Sequence, residues 1–236
     1  MKNLAFILTC LLCIGCKNNH HSTHTSQVKE GSHQHQQEKQ SKQGSANEFM
    51  HQSSVDGLIN RFESPERDAY QQPQKVLEYL GDIQGLTIMD IGAGSGYFSM
   101  KLAENGANVI AADVDDTFQE FLQNRINENN LNTIETRKIP YDSPNLKEEE
   151  VDMVLIVNTY HHIENRAAYF AKVKKGTKSN GELVIIDFFK SEIPVGPPLN
   201  HRLPIDVVVN ELKKAGYTTF EVKVDLLPYQ YIIKAK

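Results

Sequence analysis

Apolar residues are spaced in two ways along this chain, and the alternation of the two predicts the fold. Compact apolar runs of strand length occupy 86–91, 108–112 (with Asp113 at its end), 151–157 and 182–188, and a weaker strand falls near 133–139. Between them the spacing turns helical. Val76, Leu77 and Leu80 predict a short helix stopped by Gly81, and a second helix is expected over 97–104. Phe118, Phe121, Leu122 and Arg125 share one stripe with Ile126 beside it, and Thr117 with Glu120 has the spacing of a capping box. Ile163, Ala167, Phe170 and Ala171 form a further stripe. Ile205, Val208, Val209 and Leu212 form the last, closed by Lys213, Lys214 and Gly216. Strands near 220–224 and 229–233 finish the chain. Near-continuous apolar strands alternating with helices predict an α/β Rossmann-like three-layer sandwich, its mostly parallel sheet covered on both faces.

This pattern begins only at residue 47. Before it, Lys2 and the apolar run 4–14 read as a secretory signal, too short for the roughly 20 residues that span a bilayer. The run ends in CIGC, and Gly15 before Cys16 resembles the lipobox of bacterial lipoproteins, with Cys13 standing where leucine is usual. The expectation is a signal peptide over 1–16 and lipid on Cys16, which would hold an exported chain on the envelope membrane without a spanning helix. Residues 17–46 are Gln, Ser, His, Lys and Gly with almost nothing apolar, and are expected to be a disordered tether. His20, His21, His24, His33 and His35 lie in it. No Cys or carboxylate stands at ligand spacing beside them, so a solvated leash is expected rather than a metal site.

Charge and cysteine content narrow the partners. Residues 1–48 carry a net +2, which leaves −7 of the chain's −5 to the remainder. An acidic body with no Lys/Arg-dense helix or strand has no electrostatic footprint for nucleic acid. All three cysteines (Cys10, Cys13, Cys16) precede residue 17, so the domain over 47–236 must be held by its core and not by disulfides.

The candidate chemistry lies in MDIGAGSGYF, residues 89–98. A glycine loop between a buried strand and a helix lets a ligand approach the main chain. Asp113, ending the next strand about 20 residues on, can accept both hydroxyls of a ribose. Together they indicate a nucleoside cofactor. Gly92, Gly94 and Gly96 are spaced G-x-G-x-G behind Asp90, whereas dinucleotide sites favour G-x-G-x-x-G, and no Lys-Ser/Thr pair follows to make a phosphate cradle.

DIGAGSG with Asp113 downstream resembles motif I and the acidic motif II of the class I S-adenosylmethionine-dependent methyltransferases, and VDMVLIVNTYHHI resembles their fourth strand and the loop after it. With RFESPERDAYQQP and PVGPPLNHR, the resemblance covers about 47–236 and extends to a bacterial subgroup with export signals. It implies a seven-stranded sheet with an antiparallel last strand and S-adenosyl-L-methionine as cofactor. By the same resemblance Gly92, Gly94 and Gly96 would border the methionine moiety, Asp90 would hold its amino group directly or through water, Asp113 would bind the ribose and Val114 would touch the adenine. Asn158 would lie under the sulfonium, and Asp142 is the nearest candidate for an acid at the adenine edge.

Methyl transfer needs alignment, exclusion of water, and a base only where the acceptor arrives protonated. His161, His162 and His201 are the candidate bases, with capping of the next helix as the other role open to His161 and His162. Tyr160, Tyr97 and Phe98 offer aromatic faces to a sulfonium, or pack in the core. The acceptor is expected to be a small molecule. Three other readings stay open: a domain that binds an adenosine ligand without transferring a methyl group, a dinucleotide-dependent oxidoreductase, and a scaffold whose purpose is the His tract before it.

Overall fold

A computed structural model describes residues 54–236. The signal, the lipobox cysteine and the His-bearing tether lie outside the described residues, as does His51.

Seven strands form one sheet: β1 (Thr87–Ile91), β2 (Asn108–Asp113), β3 (Ile134–Lys138), β4 (Val151–Val157), β5 (Thr177–Phe188), β6 (Phe220–Lys223) and β7 (Gln230–Ala235). Their spatial order is β3-β2-β1-β4-β5-β7-β6. The pairings among β1 to β5 are all parallel, and β7 runs antiparallel to both neighbours, as the resemblance implied. The central strands are apolar on both sides because each side packs into a core. Ile88, Leu155, Val184 and Ile186 belong to one core, and Met89, Val154, Ile156 and Ile185 to the other.

The helices are α1 (Val55–Phe62), α2 (Pro65–Gln71), α3 (Pro73–Leu80), α4 (Tyr97–Glu104), α5 (Asp116–Asn129), α6 (Arg166–Gly176) and α7 (Ile205–Lys214). Among the described residues, none is long and apolar enough to cross a membrane. Three helical details differ from the sequence expectation. The cap of α5 is Asp115, whose carboxylate accepts the Thr117 and Phe118 N–H groups, because the chain turns directly after Asp113. The buried face of α6 is Tyr169, Phe170 and Val173, since Ile163 lies before the helix and Ala167 at its half-buried flank. And α1 and α2, which the apolar pattern did not predict, lead into the site. Each begins at a serine cap: Ser54 Oγ accepts Gly57 N–H and Ser64 Oγ accepts Arg67 N–H, with Pro65 at the first helical position.

Candidate functional site

The C-terminal ends of β1, β2 and β4 open into a cleft of about 630 Å³, within the range that holds a drug-sized ligand. It sits where the strand order reverses, β1 being flanked by β2 on one side and β4 on the other. Ligands of open α/β sheets bind at such switch points. Its lining is apolar and aromatic in part, with Leu58 and Phe62 from α1, Tyr70 from α2, and Phe118, Ile139 and Tyr141, and it also carries His161, His162 and His201.

The glycine loop forms the floor. The Gly92 and Ala93 N–H groups donate to the Ala112 carbonyl at 2.8 and 3.0 Å, which fastens the loop to the end of β2. Gly94 N–H donates to Asp113 Oδ2 at 2.8 Å and Asp115 N–H to Oδ1 at 3.0 Å, so the carboxylate is fixed in direction. Burial pushes the Asp113 carboxyl up, and the N–H donors around it pull the other way. Gly92 and Gly96 have φ of 75° and 85°, and both are also pinched. A Cβ on Gly92 would stand 2.4 Å from Thr159 Oγ1, and one on Gly96 would stand 2.3 Å from Leu122 Cδ1.

Of the residues expected from the sequence, Gly92, Gly94, Asp113, Val114, Asp142, Asn158, His161 and His201 line the cleft. Asp90, Gly96 and Tyr160 do not. Gly96 is turned onto Leu122 beneath α4. Asp90 is 3% exposed beneath the loop, its Oδ2 accepting Ser99 Oγ–H at 2.7 Å, and burial raises its carboxyl to about 6. Any hold on a ligand's amino group would therefore pass through an intermediary.

Tyr160 is fully buried. Its ring stacks on Phe170 at 4.8 Å and its hydroxyl donates to Glu211 Oε2 at 2.9 Å, which places it in the core and not at a sulfonium. Tyr97 and Phe98 are likewise core residues, packed edge to face. Capping does not account for His161 or His162 either. They lie in a 3₁₀ turn, Tyr160–His162, and α6 starts later, after Asn165.

The structure supplies partners that the sequence did not reveal. His161 Nδ1 lies 2.9 and 3.0 Å from the two oxygens of Asp187, both side chains being 2% exposed. Asp187 in turn accepts Phe188 N–H at 2.8 Å and His161 N–H at 3.3 Å. A carboxylate in that position accepts the Nδ1–H hydrogen bond, which keeps the proton on Nδ1 and leaves Nε2 as the nitrogen free to accept one. Asn158, in the left-handed region at φ 57°, is tied to Gln71 of α2 (3.1 Å) and to Gln230 of β7 (2.5 Å). This amide trio fastens α2 to the sheet under the cleft. Arg67 of α2 also lines the cleft, its guanidinium stacked 3.9 Å above the Tyr97 ring. His201 is carried by a loop that Arg202 gathers, donating to the carbonyls of Pro197 (2.6 Å), Ser191 (2.7 Å) and Val195 (3.1 Å). Among the described residues, no group of three or more His, Cys, Asp or Glu side chains is arranged to hold a metal ion.

Comparison with known proteins follows the same lines. Residues 89–185 match the family described as "Methyltransferase domain". A ubiquinone biosynthesis O-methyltransferase of Rickettsia akari is 29% identical over 144 residues, 59% of this chain and 55% of that protein. The chain thus spans about half the length of that relative. A demethylmenaquinone methyltransferase of Tropheryma whipplei is 23% identical over 198 residues, 78% of this chain and 77% of its own. Among solved structures, a SAM-dependent methyltransferase from Aquifex aeolicus superposes with a TM-score of 0.72 at 25% identity, covering 78% of this chain and 98% of its own.

Proposed function

We propose that this chain, which carries a class I S-adenosylmethionine-dependent methyltransferase domain, transfers a methyl group from S-adenosylmethionine to a small-molecule acceptor. The observation that carries the reading is the bond between Gly94 N–H and Asp113, which joins the glycine loop to the acid as a single nucleoside-binding surface. The residues fit the donor: a cleft of adequate volume, a fixed carboxylate that would take the ribose hydroxyls, and Val114, Asp142 and Asn158 in the same lining. When bound, the donor supplies a methyl group already activated on a sulfonium.

The chain's own residues then have three tasks. Leu58, Phe62, Tyr70 and Tyr141 hold a flat, apolar acceptor and keep water out. Asp187 fixes the tautomer of His161. His161 Nε2 takes the proton of an acceptor hydroxyl as its oxygen bonds to the methyl carbon, and the carbon–sulfur bond breaks to leave a neutral thioether. An oxygen acceptor is supported by the O-methyltransferase name of the Rickettsia akari relative and by an imidazole held in one orientation by Asp187. A domain that only bound an adenosine ligand would have no use for that base. The same reading makes the chain an exported protein anchored by lipid on Cys16, on the strength of its leader residues.

The test uses the full chain. In calorimetric titration, S-adenosylmethionine and S-adenosylhomocysteine are expected to bind and NAD to give no heat. Asp187→Asn is expected to keep S-adenosylhomocysteine affinity within about twofold, while labelled methyl transfer to a panel of hydroxylated aromatics falls about 10²- to 10⁴-fold. Silence from both adenosyl ligands would sink the donor reading. Transfer undiminished in the variant would remove the base.

A further inference from the structure

The sheet ends in an open edge. β6 is the last strand in the spatial order, and among the described residues it pairs only with β7, so its other side offers main-chain groups to whatever lies beyond. Which groups these are follows from the pair just before the strand. Thr219 and Lys236 exchange both of their N–H···O bonds, each at 3.0 Å. Such pairs alternate along an antiparallel ladder, so Phe220 and Val222, opposite Ala235 and Ile233, point their N–H and C=O groups away from β7. Val224 continues the same parity.

Side chains on this edge are apolar where a solvated edge strand is expected to be charged. Val222 and Val224 are 40% and 52% exposed, two of the four large hydrophobic residues left open to solvent among those described, so open apolar surface gathers here. They share a face with Phe220, while Glu221 and Lys223 project from the other. The opposite edge, β3, differs: Glu135, Arg137 and Lys138 are each engaged in an ion pair within the chain.

We infer that β6 pairs antiparallel with β6 of a second copy about a twofold axis at Val222, which joins the two sheets into one. Val222 then faces its own copy as a hydrogen-bonded pair and Phe220 faces Val224, which uses the main-chain groups that point outward. Glu221 stands opposite Lys223 of the second copy on both sides of the axis, and opposite charges directly across a ladder attract. Moving the axis by one residue sets Glu221 or Lys223 against itself, and an axis at Lys223 also sets Glu221 against Asp225. Like charges so placed repel, so charge selects the register. The interface is isologous, and each contact occurs twice. It leaves the cleft open, because β5 and β7 separate β6 from the strands whose ends form it.

The experiment is sedimentation velocity of the full chain from about 1 to 100 μM, a range in which small interfaces associate. Cys16→Ser throughout and a reducing buffer keep lipid and the remaining cysteines, Cys10 and Cys13, from joining copies. With β6 unaltered, a dimer is expected. Glu221→Lys sets a lysine against Lys223 at both symmetric places, and Lys223→Glu sets a glutamate against Glu221; each is expected to weaken the dimer roughly 10- to 100-fold. The double variant Glu221→Lys/Lys223→Glu exchanges the partners and is expected to restore the dimer, which a chain that had failed to fold could not do. Val222→Lys, with its charge on the axis, is expected to be monomeric. A chain with β6 unaltered that stays monomeric across the range overturns the inference, as does a dimer that every variant leaves unchanged. A dimer lost in both single variants and not regained in the double overturns it too, because the two charges would then not face each other.

Discussion

Asp90 begins the glycine loop yet never reaches the cleft, and its energetics are those of a buried acid. Enclosure raises its carboxyl from 3.8 to about 6, with the Ser99 hydroxyl and the nearby Arg67 charge opposing the rise. A folded-state value above the unfolded one means that the folded chain favours the protonated form. The stability this group contributes is therefore complete below about pH 4 and is lost as pH rises through about 6, by about 3 kcal/mol in all. Asp90→Asn removes the titration. Urea unfolding of wild type and variant at intervals from pH 4 to pH 7 is expected to show the variant gaining on the wild type across that window, and a constant difference would contradict the assignment. Asp187 shows the opposite use of a buried acid. It is surrounded by three N–H donors, those of the His161 ring, His161 and Phe188, and so serves as an acceptor that holds a base in one orientation.

At the scale of elements, the loop between β5 and α7 is held less by its own turns than by one side chain. Arg202 is 6% exposed and donates to three carbonyls spread over seven residues, Ser191, Val195 and Pro197, which an ammonium at the end of a lysine cannot span in the same geometry. Arg202→Lys is expected to raise amide hydrogen exchange across 190–203 by about 10-fold or more, while protection in β4 and β5 is unchanged. Retained protection in the loop would show that Gly196 and the prolines hold it without the guanidinium.

Legibility in the sequence followed the same division between core elements and edge elements. β1, β2, β4 and β5 were readable because strands buried on both faces are apolar runs, and α4 and β4 matched their expected bounds. α1 and α2 were not, because they bury little: Leu58 in the first and Gln71 in the second. The signals they do carry are local, the Ser64-Pro65-Glu66 start above all. The site divides likewise. The glycine loop and Asp113 are close in sequence and were legible, whereas Asp187 meets His161 across 26 residues, through the parallel pairing that sets Val157 beside Ile186. Tyr160 misled because its neighbours in sequence face the cleft while its own side chain turns into the core.

For the whole molecule the open physical question is which side of a membrane the domain works on. Nothing in the fold ties it to one compartment. The domain over 47–236 has no cysteine, so its two apolar layers must hold it together equally well in reducing and oxidising surroundings. On the reading proposed above, location rests on residues 1–16, where the apolar run after Lys2 and the Gly15-Cys16 junction would supply an address and an attachment point. One lipid chain gives only marginal membrane binding, so firm attachment through Cys16 requires more than one acyl chain on that residue. Full-length protein expressed in a bacterial host is expected to sediment with membranes, to take up labelled fatty acid and to be cut by protease added outside the inner membrane. Cys16→Ser is expected to abolish the label and release the protein into the soluble fraction without changing its affinity for S-adenosylhomocysteine, since the glycine loop, Asp113 and His161 that line the cleft lie far along the chain from that residue. Label retained on the Cys16→Ser variant would move the attachment elsewhere. Protein that is unlabelled and protected from protease would place the domain with the cytosolic pool of its donor, and the leader would then have to be read as an unused address.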